Sequence, residues 1–201
     1  MRKNTAKKGL IFVLSGPSGS GKTTLANKLI TDRRLRRSFA KSISYSTRPR
    51  RANEKEGRDY FFINERQFRE RLKAKKILEW TRYLGYYYAT PRDLVDRHLA
   101  KGRHLVLCLD IKGALRVKSL YPESAVTIFI RPPSIAVLRD RIKKRGCKTC
   151  DKEVKKRLML AKKELMSAKI YDYSVTNDNL SHVVRKLKGI ILNKIEGKKE
   201  G

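Results

Sequence analysis

Eight consecutive residues of this 201-residue chain have types and spacing suited to holding phosphate: Gly16-Pro17-Ser18-Gly19-Ser20-Gly21-Lys22-Thr23. They fill every fixed position of the pattern G-x-x-x-x-G-K-[ST]. The glycines let the backbone curl so that successive N–H groups point inward at phosphate oxygens. A helix starting where the loop ends would add the partial positive charge of its N-terminus. Lys22 can reach the β- and γ-phosphates, and the Thr23 hydroxyl can ligate Mg²⁺. The chemistry implied is that of a nucleotide phosphate site.

The flanking elements suit that role. Leu10 to Leu14 is an apolar run fit for a strand buried on both faces. Leu25, Leu29 and Ile30 share one helical face behind the loop. Phe39 to Arg48 alternates loosely, as a strand leading into a loop, and Arg48 to Arg58 has no hydrophobic anchor. Tyr60 to Ile63 reads as a short strand, Glu65 to Leu72 as a short helix, and Leu78 to Tyr88 as a small antiparallel element. Thr90 and Pro91 predict the next helix start, with a hydroxyl at N-cap and proline at N1; that helix carries Leu94, Val95 and Leu99 to a stop near Gly102.

Leu105 to Asp110 and Ala125 to Ile130 are further buried strands, the first with an acid at its C-terminal end. Ser134 to Lys144 is a helix. Asp151 caps a long helix with Val154, Leu158, Ala161, Leu165 and Ala168 on one stripe. Tyr173 to Thr176 is the last strand, and the closing helix carries Leu180, Val183, Val184, Leu187 and Ile191. Strands alternating with helices predict an α/β fold around a parallel sheet, with ligands bound beyond the strand C-termini.

The length suits one domain with a sizeable core. Fifty Lys and Arg against 19 Asp and Glu give a net charge of +31. That balance favours polyanionic partners such as nucleotides, polyphosphate or RNA. The bases are interleaved with apolar positions, however, so a solvated surface accounts for them equally well. Cys108, Cys147 and Cys150 do not make a disulfide framework. The basic start, residues 1–8, reads as a frayed tail without the features of a signal peptide, and no apolar run approaches the ~18 residues of a membrane span. The expectation is a cytoplasmic, reducing setting, with no membrane partner and no specific nucleic acid.

A second motif lies at residues 42–60, with Arg48, Arg51 and Tyr60 in and after a basic loop. Together with the phosphate loop it resembles guanylate kinase, a nucleoside monophosphate kinase of the P-loop superfamily. The resembling segments are Ser15–Thr24, Ser42–Phe62, Glu79–Thr90, Leu109–Gly113, Pro132–Ser134, Arg139–Gly146 and Val175–Asp178, in the family's order across almost the whole chain. The resemblance implies a P-loop NTPase-type parallel sheet flanked by helices, with a mixed α/β GMP-binding insert over 39–94 and a small helical lid over 147–157. The core would be 9–38, 95–146 and 158–197, all one domain. The implied reaction is Mg²⁺-dependent transfer of the ATP γ-phosphoryl group to GMP, and dGMP, in purine nucleotide metabolism.

The resemblance also implies roles. Gly16 to Thr24 would hold ATP, with Asn177 beside its adenine and Thr23 on the metal. Ser44, Glu79, Thr90 and Asp110 would contact guanine; Arg48, Arg51, Tyr60 and Tyr88 would hold the GMP phosphate. Lys22, Arg48, Arg141, Arg145 and Arg157 would be catalytic. Elementary chemistry agrees. Guanine offers two adjacent donors, N1–H and the 2-amino group, and one carboxylate such as Glu79 can accept both; adenine has an acceptor at N1 and would be repelled. The attacking phosphate oxygen is already ionised at neutral pH, so positioning and charge neutralisation replace a general base.

The chain also departs from the family. Arg-x-Pro-Arg has become Arg48-Pro49-Arg50-Arg51, leaving Arg50 and Arg51 as rival second clamps; spacing to Tyr60 favours Arg51. Asn53 replaces the glycine before the loop glutamate and still tolerates a left-handed backbone. Asn-Tyr-Tyr-Gly is Tyr86-Tyr87-Tyr88-Ala89, and Cys108 replaces the first of two acids. Asp110 is thus left to guanine, to the Mg²⁺ water shell, or to both. Cys147 and Cys150 form a C-x-x-C that could bind zinc or make a redox pair, but His98, His104 and His182 are scattered, and two unligated thiols is the preferred reading. Rival functions weigh less. Glu79 with Ser44 argues against a sugar-phosphate kinase, the intact Lys22-Thr23 pair against a non-catalytic interaction module. An RNA binder would need an aromatic-basic motif, although nonspecific binding at low salt follows from the charge.

Overall fold

Strand alternation decides the core of this computed structural model, which describes residues 9–145 and 151–197. β1 (Ile11–Ser15) is buried along its whole length. Successive side chains on a strand point to opposite faces. Ile11 and Val13 therefore join one hydrophobic cluster, and Phe12 and Leu14 the other. β1 is the middle of five parallel strands; across the sheet these run β2 (Phe39–Lys41), β7 (His104–Cys108), β1, β8 (Ala125–Arg131) and β9 (Tyr173–Thr176). On the Phe12 side the sheet is covered by α1 (Lys22–Thr31) and α7 (Leu180–Glu196), through Leu25, Leu29, Val183, Leu187 and Ile191. On the other side α3 (Arg92–Ala100) and α4 (Ile111–Leu120) contribute Val95, Leu99, Ala114 and Val117.

A second sheet stands beyond the C-terminal ends of this one. Its order is β4 (Phe61–Phe62), β3 (Tyr45–Ser46), β6 (Tyr86–Pro91), β5 (Ile77–Tyr83), with β3 and β4 parallel and the other pairs antiparallel. α2 (Glu65–Lys73) opens with a capping box between Asn64 and Gln67 and packs Phe68 against Ile77 and Ala89. On β5 the alternation buries Glu79 and leaves the neighbouring Trp80 44 % exposed, with its ring edge-on to Phe68. α5 (Ile135–Arg145) has Ser134 Oγ accepting from the Val137 amide at 3.1 Å, and α6 (Asp151–Met166) runs into a 3-10 turn, Ser167–Ile170.

Several expectations are corrected. Phe39 to Arg48 is two strands in different sheets: Phe39–Lys41 pairs with β7, so it belongs to the core sheet and not to the insert. Thr90 and Pro91 still belong to β6, and Pro91 is the N-cap of α3; the Thr90 hydroxyl, expected to cap that helix, bonds Glu79 instead. α4, whose Asp110 N-cap accepts from the Gly113 amide, is a helix that the apolar spacing did not reveal. The expected stripe serves two clusters: Val154, Leu158 and Ala161 of α6 meet Leu138 and Ile142, whereas Leu165 near its end and Ala168, in the 3-10 turn that follows, pack with Phe129 and Tyr171. Leu180, expected inside, is 38 % exposed. Among the described residues, no helix is long and apolar enough to cross a membrane.

Phe129 is fully buried on β8 with its ring 5.1 Å from that of Tyr171. Phe129→Ala should cost about 3–5 kcal/mol in urea unfolding, because the sheet cannot collapse into the space left.

Candidate active site

The phosphate-binding loop joins β1 to α1. Gly21, the N-cap of α1, sits at φ 99, and a Cβ there would lie 2.3 Å from the Asn177 amide nitrogen. Only glycine tolerates both the left-handed backbone and the contact. Lys22 curls back so that its ammonium donates to the carbonyls of Gly16 at 2.5 Å and Pro17 at 3.0 Å.

The loop forms one wall of a cleft of about 530 Å³ whose other wall is the second sheet. Gly16, Ser18, Gly19, Gly21, Lys22 and Thr23 face it from the loop. Ser44, Arg48, Arg51, Tyr60, Glu79 and Tyr88 face it from the insert, Asp110 from the end of the central sheet, and Arg157 from α6. The remaining candidates stand behind this lining. Pro17 and Ser20 are buried in the loop and Thr24 is on the outside of α1. Thr90 backs Glu79. Arg141 donates to the Asn177 carbonyl at 3.3 Å, and the Asn177 amide donates to the Ser20 carbonyl at 2.7 Å. Arg145 closes α5, but its side chain, and Cys147 and Cys150 altogether, lie outside the described residues.

Glu79 is the unusual group. It is only 6 % exposed, at a register shift in the β5–β6 ladder that lets Thr90 lie opposite it. Thr90 Oγ1 donates to Glu79 Oε1 at 2.5 Å. A Cβ at Gly113 would be 2.5 Å from Glu79 Oε2, so the glycine makes room for the carboxyl. Burial pushes its pKa up to about 7, with the nearby Asp110 carboxylate acting in the same direction and the Thr90 bond opposing both. Cys108 also lines the cleft, and burial raises its thiol pKa.

Arg48 lines the cleft from the loop after β3. Its guanidinium donates to both oxygens of Glu54, at 2.7 and 2.5 Å, and lies 5.2 Å from the Tyr60 ring centre. Tyr60 meets Tyr88 edge-on at 5.9 Å. Burial alone would raise the Glu54 carboxyl, but Arg48 and the Arg51 amide outweigh it and leave its pKa below the ordinary value. Of the two rival clamps, both exposed, Arg51 lines the cleft, while Arg50 donates to the Glu54 carbonyl at 3.3 Å.

Tyr83, Glu153 and Glu164 were not singled out from the sequence, yet all line the cleft. Glu153 pairs with Arg157, its Oε1 accepting from Nε at 2.9 Å. Burial raises the phenol pKa of Tyr83, from the β5–β6 hairpin, with Ser18 of the loop pulling the other way. Burial raises the Glu164 carboxyl, with the Lys22 ammonium pulling the other way. A signal was available for two of them: residues 153, 157 and 164 are spaced by four and seven, which is one face of a helix.

The chain matches the family model described as guanylate kinase over residues 8–194. The guanylate kinase of Caldanaerobacter subterraneus subsp. tengcongensis is 42 % identical over 186 residues, 92 % of this chain and 88 % of that relative. That of Thermotoga maritima is 42 % identical over 184 residues, covering 92 % and 86 %. The crystal structure of guanylate kinase from Anaplasma phagocytophilum superposes with a TM-score of 0.77 at 30 % identity, over 94 % of this chain and 87 % of that one.

The side-chain carboxyl carbon of Glu79, followed by NMR in the ligand-free protein, should titrate with a midpoint of about 7. Because the Thr90 bond favours the ionised form, Thr90→Val should move that midpoint further up.

Proposed function

The chain belongs to the guanylate kinase family, and from that premise we propose that its cleft holds ATP at the Gly16–Thr23 loop and GMP against the insert. The γ-phosphoryl group of ATP passes to GMP, giving ADP and GDP. One observation supports this above the rest: a buried carboxyl, Glu79, faces the same cleft as the Lys22 loop. A site that only hydrolysed a triphosphate would have no use for such a group opposite its phosphate loop.

Each residue then has a task. The loop amides and Lys22 take the triphosphate tail. Glu79, in its ionised form, accepts N1–H and the 2-amino group of guanine; Thr90 steadies it, and Ser44 and Asp110 complete the base pocket. Arg48, aimed by Glu54, acts with Arg51 and the hydroxyls of Tyr60 and Tyr88 on the GMP phosphate. Guanidinium forks suit that anion, and the phenols donate without adding charge. Arg141, Arg145 and Arg157 offset charge around the transferring group, and Asn177 adds to the ATP side. The acceptor oxygen needs no base, so catalysis is alignment plus neutralisation in a cleft closed against water.

A divalent cation fits the donors. The Thr23 hydroxyl and the Asp110 carboxylate both face the cleft, and hard oxygen donors suit Mg²⁺. Among the described residues no cluster of three or more His, Cys, Asp and Glu could hold a metal. Thr23 would therefore supply one ligand, Asp110 would act through the water shell, and phosphate oxygens and water would fill the remainder. Bound Mg²⁺ supplies charge neutralisation across the β- and γ-phosphates. The reaction is placed in the cytoplasm, where ATP and GMP meet.

A coupled assay of ADP formation should show strong turnover with GMP, less with dGMP and almost none with AMP; equal use of GMP and AMP would overturn the base-reading role. Glu79→Ala should damage GMP use and leave ATP binding intact. The KM for GMP should rise as pH falls below about 7, because the protonated acid must lose its proton before it can accept both guanine donors. Arg157→Ala should lower turnover by on the order of 10³ if it neutralises transition-state charge.

A further inference from the structure

Two hydrogen bonds tie the phosphate-binding loop to one distant segment. Just before the loop, the Tyr171 hydroxyl donates to Ser15 Oγ at 2.8 Å, with both residues buried. Inside it, the Asn177 amide donates to the Ser20 carbonyl at 2.7 Å. Asn177 is itself fixed, being 6 % exposed with its backbone N–H on the Arg131 carbonyl at 2.7 Å. The Tyr171 ring is held against Phe129. The bonded groups belong to the residues directly before Gly16 and directly before Gly21, so the turn is gripped at both ends.

We propose that Tyr171 and Asn177 are positioning residues of the phosphate site, a two-point brace that shapes the loop before any ligand arrives. The proposal rests on reading Gly16–Thr23 as that site. Curled amides give a strong anion site only if they need not reorganise on binding. A buried carbonyl such as that of Ser20, without its donor, would find a partner by moving. Asn177 thereby has work besides any nucleobase contact, since one of its two amide N–H donors is committed to the loop. Its own carbonyl receives Arg141, so the same residue also sets that guanidinium relative to the loop.

Inorganic tripolyphosphate separates the brace from a base contact, because it has the phosphate tail and no adenine. Calorimetry with tripolyphosphate and with ATP, each with Mg²⁺, would compare the parent, Asn177→Ala and Tyr171→Phe. Each variant should weaken both ligands by the same factor, about fivefold for one lost hydrogen bond. In turnover the KM for ATP should rise while that for GMP holds, a split that general destabilisation would not give. Weaker ATP binding with unchanged tripolyphosphate binding in Asn177→Ala would make that residue a base contact and overturn the brace. Unchanged binding of both ligands in both variants would overturn it as well. A parent that fails to bind tripolyphosphate would sink the phosphate-site reading itself, and the brace with it. Tyr171→Phe removes a single oxygen, so it carries the test if Asn177→Ala does not fold.

Discussion

A carboxyl group taken out of water is the constraint around which the cleft is arranged. Glu79 gives up its hydration inside a protein whose net charge is +31, yet among the described residues no guanidinium hydrogen-bonds it; the Thr90 hydroxyl does, and the Asp110 carboxylate lies nearby. Pairing it with arginine would have stabilised the empty site and closed the acceptor lone pairs to a ligand. Left as it is, the group keeps acceptor lone pairs open to a molecule bringing two adjacent donors. Selectivity of this kind comes from the energy of leaving buried polar groups unpaired, which far exceeds what an apolar pocket of the same shape could supply.

The arginines follow the opposite logic. Arg48 and Arg157 rest on Glu54 and Glu153, each through both a charge and a defined hydrogen-bond geometry. Such partners hold a guanidinium extended toward the cleft and limit the rotamer freedom that binding would otherwise remove. A cleft meant to receive two polyanions is in this way prevented from repelling itself while empty.

Much of this was legible in the sequence, and the reason is locality. The phosphate loop is eight consecutive residues with fixed types, its strand and helix adjoin it, and buried parallel strands read as continuous apolar runs. What escaped depends on distant partners. Thr90 has the right type and spacing for a helix cap, and only the opposing strand reveals that its hydroxyl is committed to Glu79. α4 was hidden because its burial is carried by small residues, Gly113 and Ala114, with Val117 the one large buried side chain. Phe39 to Arg48 looked like one strand because alternation says nothing about which sheet each half will join. Glu164 reads as one more surface charge until the cleft closes around it.

The alternation that turns Glu79 inward on β5 turns Trp80 outward, and Trp80 is the single tryptophan of the chain. The insert therefore carries the molecule's sole indole, directly adjacent along the backbone to the buried Glu79 carboxyl and edge-on to Phe68. The central sheet has none. Its emission colour and quenching are thus a built-in optical gauge of the insert alone, available without any label.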